Sequence, residues 1–330
     1  MTPLKEMLDL LAVGDVTLDH FLLLSEETKS EFTEIRRSKE EFCFNYEAKI
    51  PVERIVESVG GNAANVAVGI SRLGYKVALK THLGNDANGK KILETLKKEK
   101  IDTSFFYIDF DLPTNNSTII SLFGERIIFS FHQKRSYSWP TALPQARWFF
   151  LTSMGEGFLK ILPQIIKYLK KTQPKVVFSP GSYQLILGVE TFRELLSLTE
   201  LIIMNREEAE IFLGKKAAPK ELLQGLRDLG PKISVITDGR KGAYLLSETR
   251  GFWIDLVDKR ERREATGAGD AFLSGLLGGL MEGLMYEEAM LWGMLNSASV
   301  VQEIGAQKGL LTRAVMKELA KKSEPTISYF

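Results

Sequence analysis

The chain has 330 residues, 44% of them hydrophobic and 26% charged, and a net charge of +1. This is a globular composition with length enough for a large core, and it carries no field that would draw nucleic acid. A single cysteine, Cys43, excludes an intramolecular disulfide and a cysteine-cluster zinc site, and His20, His82 and His132 are too scattered for a histidine-rich metal site. The apolar run near the N-terminus is short for a secretion signal, and no stretch reaches about 18 apolar residues. A cytoplasmic protein with no membrane or nucleic-acid partner is expected.

The first buried strand is "LLAVGD", 10–15. Residues 17–58 differ in character: "TLDHFLLL", a charged middle, then "FCFNYEAKIPV", read as strands on either side of a long exposed connection. Small and apolar residues at Ala64, Ala67, Val68, Ile70 and Leu73 mark a helix that stops at Gly74. A strand at 76–82 and an amphipathic helix at 90–100 follow. Residues 104–131 hold three strand-like runs, the last two joined as a hairpin by Gly124 and Glu125. The second half alternates: strands at 147–152, 175–179, 200–204 and 233–237, with helices at 157–170, 190–198, 206–213 and 218–229. A hairpin and two long helices, 268–283 and 286–304, close the pattern.

Strand–helix alternation predicts an α/β fold, a Rossmann-like doubly wound sheet covered by helices on both faces. The two β-only patches break that rhythm. They read as a small β-sheet lid made by insertions at 17–50 and 104–132, on a core of 1–16, 51–103 and 133–330. The mixed-sign runs at 96–100 and 259–264 read as solvated faces.

Five stretches could carry chemistry. In "VGGNAANVAVG", Gly60 and Gly61 allow close backbone approach, while Asn62 and Asn65, one helical turn apart, suit hydroxyl recognition. "GNDANGKK", 84–91, imitates a phosphate loop, but Lys91 stands where Ser or Thr would hold a metal, so it reads as a turn opening a helix. In "MNREEAEIF", Asn205 can cap a helix with Glu207 and Glu208 at its positive end; in the functional reading Asn205 and Glu208 face a metal–phosphate group. Thr237 and Gly239 in "VITDGRKG" end a strand, where α/β sheets bind ligands. "EATGAGDAFLSG", 264–275, is the strongest. The N–H groups of Gly267, Ala268 and Gly269 would form an anion hole at a helix start, with Asp270 beside it as a proton acceptor.

Together these motifs resemble the ribokinase/PfkB carbohydrate kinase family. "GGNAANVAVGISRLGYKVALKTHLGNDANG" is similar to the family's first signature, including Gly84, Asp86 and Gly89, and "EATGAGDAFLSG" to its second. "NREE" and "TDGRKG" resemble its N-x-x-E and its nucleotide-loop T-x-G-x-x-G. The resemblance implies a ribokinase-like fold and transfer of the ATP γ-phosphoryl group to a hydroxymethyl of a sugar. Asp270 would be the general base and Gly267–Gly269 the anion hole. Asp19, Gly61, Asn62 and Asn65 would bind substrate. Asn205, Thr237, Gly239, Gly242 and Asn296 (with Ser299 nearby) would serve the nucleotide, and Glu208 would meet Mg²⁺ through water. Glu264 and Ala265 stand where the family has Asp-Thr, a segment that helps form a monovalent-cation site in many members, so potassium activation stays open.

A nucleoside kinase of the same family is the alternative, with Phe129, Phe131 and His132 near the lid as candidates to stack a base. A non-catalytic sugar or nucleotide sensor is the alternative from another class, although a sensor has no need of Asp270. The lid's β-face is expected to pair two copies as a homodimer.

Overall fold

The side chains of one strand set the layering. β1 (Leu8–Val13) sends Leu10 and Ala12 into one core and Leu11 and Val13 into another, all four fully buried. Such a strand must lie inside a sheet covered on both faces. The computed structural model describes residues 7–24, 33–36, 41–44, 47, 49–122, 125–258, 260 and 262–330.

β1 pairs in parallel with β6 (Val77–Lys80) on one side and β11 (Ala146–Leu151) on the other. The parallel run continues through β12 (Lys175–Phe178), β13 (Thr199–Asn205) and β14 (Ile233–Thr237). The antiparallel strands β15 (Ala243–Leu246), β16 (Gly251–Ile254) and β17 (Ile327–Tyr329) complete a nine-stranded sheet.

One core is closed by α1 (Asn62–Arg72), α2 (Ala87–Lys98), α7 (Ala268–Glu282), α8 (Tyr286–Val300) and α9 (Arg313–Lys322). The other is closed by α3 (Leu162–Thr172), α4 (Ser182–Ser197), α5 (Arg206–Leu213) and α6 (Pro219–Asp228). Each fully buried Leu, Ile or Phe in these cores contributes about 1.5–3 kcal/mol. α7 and α8 lie backbone to backbone: a Cβ on Gly275 would stand 2.3 Å from the Trp292 carbonyl oxygen.

A second, four-stranded sheet runs β10 (Glu125–Phe131), β9 (Asn116–Leu122), β2 (Thr17–Leu23), β5 (Arg54–Gly60). β9 and β10 form the expected hairpin, though Gly124 of its turn lies outside the described residues. The inner face buries Asp19, Phe21, Ser117 and Ile119, and the outer face exposes Ile55, Phe129 and Phe131. β3 (Thr33–Arg36) and β4 (Glu41–Phe44) form a separate antiparallel ladder. Most of the charged connection expected at 25–41 lies outside the described residues.

Several boundaries differ from the sequence-based expectation. The core was expected to resume at 51, but β5 pairs with β2 through Gly60, so the small sheet keeps the chain until α1 begins. "SFFYID", expected in the lid, instead contributes β8 (Tyr107–Asp109), which pairs in parallel with β7 (His82–Gly84) in a ladder of its own. The helix expected at 157–170 is a short 3₁₀ turn, 156–160, followed by α3, whose Pro163 suits the first helical turn. α4 begins at Ser182 rather than 190, because Gly188 (φ 72°) interrupts its period and hides the first half. α9, which buries Met316 and packs Leu319 and Ala320 against the core at helical spacing, and the three-residue β17 were not expected.

The 84–91 stretch is a structural turn. Asp86 caps α2, its Oδ1 accepting from Gly89 N at 2.7 Å. The same carboxylate accepts from Thr114 N (2.8 Å) and Thr114 Oγ1 (2.7 Å), fastening the segment that leads into β9.

Candidate active site

A cleft opens where the parallel strands end and the small sheet faces them. Its walls include Asp19 of β2, Asn62 and Asn65 of α1, Asn205 and Glu208 around the start of α5, and the turn before α7. A second cavity, lined by Gly239, Gly242, Leu256, Phe272 and Ala298, lies beside it. The two share Thr237, Ala268 and Gly269. A molecule in one can therefore touch a molecule in the other across the turn.

That turn is built by Gly267, which caps α7 in the left-handed region (φ 79°). Only glycine enters that region without cost. A Cβ there would also stand 2.3 Å from the Ala306 Cβ. The first N–H groups of α7 have no partner within the helix and suit an anion. Asp270, in the first turn, sits at the floor of the cleft with its Oδ2 accepting from Asn65 Nδ2 at 2.8 Å. Burial pushes its carboxyl up to about 6; the Asn65 hydrogen bond pulls it down, and the charges of Glu208 and Asp19 push it up. A carboxyl so placed takes up a proton near neutral pH.

Asn65 was expected to face substrate, but both ends of its amide are already engaged. It donates to Asp270 and accepts from Gln307 Nε2 at 3.0 Å. Gln307 is a residue the sequence reading missed, since it stands far along the chain in no motif. Asn62 opens α1 and lines the cleft, after Gly61 (φ 88°) as the cap. The close approach at Gly60 makes room for Asp19: a Cβ there would fall 2.0 Å from Asp19 Oδ2. Asp19 accepts from Thr17 Oγ1 at 2.8 Å, and burial raises its carboxyl against the pull of the Thr17 and Ser117 hydroxyls.

Asp15 also lines the cleft and was missed, although it ends the first strand motif. It is 4% exposed; Oδ2 accepts from Tyr137 Oη (2.6 Å) and Gly155 N (3.1 Å), and Oδ1 has no partner. Nearby Lys80 is buried too, which pulls its ammonium down to about 8 while Asp15 pulls it back up.

Asn205 and Glu208 form a reciprocal cap on α5. Asn205 Oδ1 accepts from Glu208 N (2.8 Å), and Glu208 Oε2 accepts from Asn205 N (2.9 Å). The structural reading of these residues is thus present, and both also line the cleft. Burial raises the Glu208 carboxyl, the Asn205 N–H lowers it and the charge of Glu207 raises it. Thr237 ends β14 opposite Asn205, and Gly239 and Gly242 follow in the wall of the second cavity.

Asn296 does not reach that cavity. It is fully buried, its Nδ2 donating to Ala271 O and Ser274 Oγ (both 2.9 Å) and its Oδ1 accepting from Leu311 N (2.9 Å). The cavity wall on α8 is formed by Met294, Ser297 and Ala298 instead. Ser299 lies in a different depression. Phe129 and Phe131 face outward from the small sheet, so neither can stack a base; Ile119, Ile128 and His132 line the cleft. Glu264 is 1% exposed, and its Oε1 accepts from Thr266 N (2.9 Å) and Thr266 Oγ1 (2.8 Å).

Residues 32–313 match the profile of the pfkB family carbohydrate kinases. The chain belongs to this family. A ribokinase of Haemophilus influenzae is 29% identical over 274 residues, 77% of this chain and 84% of its own length. A nucleoside kinase of Methanothermobacter thermautotrophicus is 24% identical over 313 residues, 93% and 94% of the two chains. The structure of an Arabidopsis thaliana ribokinase complexed with ribose and ATP superposes with a TM-score of 0.77 at 20% identity, covering 96% of this chain and 99% of that one. The pfkB chain described here has the ribokinase-like α/β fold and is a sugar or nucleoside kinase, a phosphotransferase acting on a hydroxyl group. Among its described residues no helix is long and apolar enough to cross a membrane.

Proposed function

We propose that this chain is a cytoplasmic ATP-dependent sugar kinase that phosphorylates a hydroxymethyl group. The observation that carries the reading is the junction of the two cavities at Thr237, Ala268 and Gly269, with Asp270 on the acceptor side. The nucleotide would occupy the cavity walled by Gly239, Gly242 and Ala298, and the sugar the cleft under the small sheet.

In this mechanism the acceptor hydroxyl lies against Asp270. A neutral hydroxyl is a poor nucleophile, and Asp270 accepts its proton as the new P–O bond forms. The N–H groups of the Gly267–Gly269 turn hold the charge that develops on the phosphoryl oxygens. Asn65 keeps the carboxylate pointed at the acceptor, and Gln307 keeps Asn65 in the donating orientation. Asp19 and Asn62 would orient the remaining hydroxyls.

A divalent ion such as Mg²⁺, carried by the triphosphate, would neutralise phosphate charge. The donor set fits that role: Glu208 has spent Oε2 on its cap and keeps Oε1, and no group of three ligating carboxylate, histidine or cysteine side chains occurs among the described residues. Mg²⁺ that arrives with phosphates needs few protein ligands and keeps several waters.

A nucleoside acceptor is the second reading. It is supported by the long alignment to a nucleoside kinase and by the apolar Ile119 and Ile128 beside His132 in the cleft. A homodimer through the lid is supported by the apolar outer face of the small sheet, where Ile55 is 60% and Phe129 57% exposed.

The test is ADP release from Mg·ATP across neutral sugars, phosphosugars, a sugar acid and nucleosides, with Asp270→Asn as control. One strong acceptor, lost in the variant, supports the reading and names the substrate. Tight ATP binding with no turnover on any acceptor would favour a sensor instead.

A further inference from the structure

Arg126 lines the acceptor cleft from the lid, and the catalytic scheme above leaves it unused. It stands on β10, on the inward face shared with Ile128. Its side chain is 31% exposed, and its Nη1 lies 3.7 Å from Glu264 Oε1. That same oxygen accepts from Thr266 N and Thr266 Oγ1, one residue before the glycine turn. Glu264 Oε2 is buried and has no partner. Among the described residues, Arg126 is the cation paired with this carboxylate.

A buried carboxylate without a counter-charge is strongly destabilising. Glu264 is 1% exposed, and its backbone is fastened through Glu264 N to Val301 O. Its compensation therefore comes from a different sheet. A single oxygen links the lid strand to the turn that would hold the phosphoryl group.

We infer that Arg126 is a positioning residue: through Glu264 and Thr266 it ties the lid to the Gly267–Gly269 turn. The turn is then fully ordered when the lid lies over the acceptor. This rests on the kinase reading for its catalytic consequence and on geometry alone for its structural one. When the tie is made, an acceptor hydroxyl is in place and water is excluded. When it is broken, the turn loosens, and water can take the phosphoryl group in place of the acceptor, giving ADP and inorganic phosphate.

Two readouts test this on the full chain with Arg126→Gln, Arg126→Lys, Glu264→Gln and the Arg126→Gln/Glu264→Gln double variant. The first is backbone hydrogen exchange over 264–269 without ligand. Arg126→Gln should exchange about tenfold faster there, as loss of a coupling near 1.4 kcal/mol implies, and Arg126→Lys should lie near wild type. The second uses Mg·ATP and a productive acceptor. Arg126→Gln should lower kcat about tenfold, leave KM for ATP within about twofold, and raise the share of phosphate released to water. The double variant should be no worse than the poorer single one. Arg126 lies near the surface, so its variants fold even where Glu264→Gln does not. Unchanged exchange in Arg126→Gln, or fully additive losses in the double variant, would overturn the proposal. If wild type phosphorylates no acceptor, the kinase reading fails separately, and the exchange readout still decides the tie.

Discussion

Asp270 Oδ2 accepts a hydrogen bond from Asn65 Nδ2 at 2.8 Å, across 205 residues of chain. The contact joins the first turn of α7 to the first turns of α1, so the two glycine-rich motifs meet at one carboxylate. Asp270→Asn keeps the shape and can still accept from Asn65, but it cannot take a proton. Acceptor-dependent kcat should fall by roughly 10²–10⁴-fold. Nucleotide affinity, read by isothermal titration, should stay unchanged. Near-normal turnover would remove Asp270 from the mechanism.

The pH dependence follows from the same group. Burial holds Asp270 up to about 6, so kcat/KM for the acceptor should rise through that pH and level off above it. The Asn65 hydrogen bond favours the charged form and lowers the value. Asn65→Leu should therefore move the midpoint to higher pH, besides lowering the plateau. Gln307→Leu, which frees the Asn65 amide to turn, should move it the same way by less.

Stability carries the opposite sign. The folded state holds the Asp270 proton more tightly than the unfolded chain, whose value is 3.8. This contribution is fully present below that value and is lost as pH rises through about 6. Asp270→Asn removes the cost of burying the charge. Its melting temperature should exceed wild type at neutral pH by about 2–4 °C and match it near pH 4. Equal gains at both pH values would mean that the carboxylate charge is not the cause.

How much of this was visible in the chain depends on sequence distance. The strand–helix rhythm is local, and the doubly wound sheet follows from it. The Gly267 turn is local as well, since glycine and aspartate at a helix start restrict what can surround them. Gln307 was invisible because its partner, Asn65, lies 242 residues away and neither neighbourhood announces the other. Arg126 was invisible for the same reason: a lone arginine in a β-hairpin has meaning only once Glu264 is placed opposite it. Asn296 shows the converse. Its position in the α8 segment was read correctly and its direction was not, because helix phase alone does not say which amide the fold consumes. Asp15 was passed over in favour of Asp19, four residues on in the same motif, although both carboxylates line the cleft.

Asn296→Leu separates structure from nucleotide recognition. The change leaves the Leu311 N–H without its acceptor, while Ala271 O and Ser274 Oγ lose one bond each and keep the one between them. Buried polar groups left unpaired cost about 1–3 kcal/mol. The melting temperature should fall while KM for ATP in the folded protein holds. Ala298→Phe should do the reverse, filling the second cavity and raising KM for ATP with little loss of stability. A specific KM effect from Asn296→Leu would restore that residue to the nucleotide site.

Two alanine substitutions in one turn should fail in different ways. Gly267→Ala forces a left-handed residue (φ 79°) and drives its Cβ to 2.3 Å from the Ala306 Cβ. Strain and overpacking together cost about 2–4 kcal/mol, so both melting temperature and activity should drop. Adding Ala306→Gly removes the 2.3 Å contact but leaves the Ala306 Cα 2.8 Å away and the strain in place, which predicts only slight rescue. Gly269→Ala meets nothing within 4 Å and gains helix propensity. Its melting temperature should hold or rise. Its methyl projects into the open space shared by the two cavities, where the phosphoryl group would arrive. A misplacement of that size should lower kcat about 10²-fold. The pair is read by thermal melts and by ADP release with the productive acceptor. If Gly269→Ala retains full turnover, the junction of the cavities is not where transfer occurs.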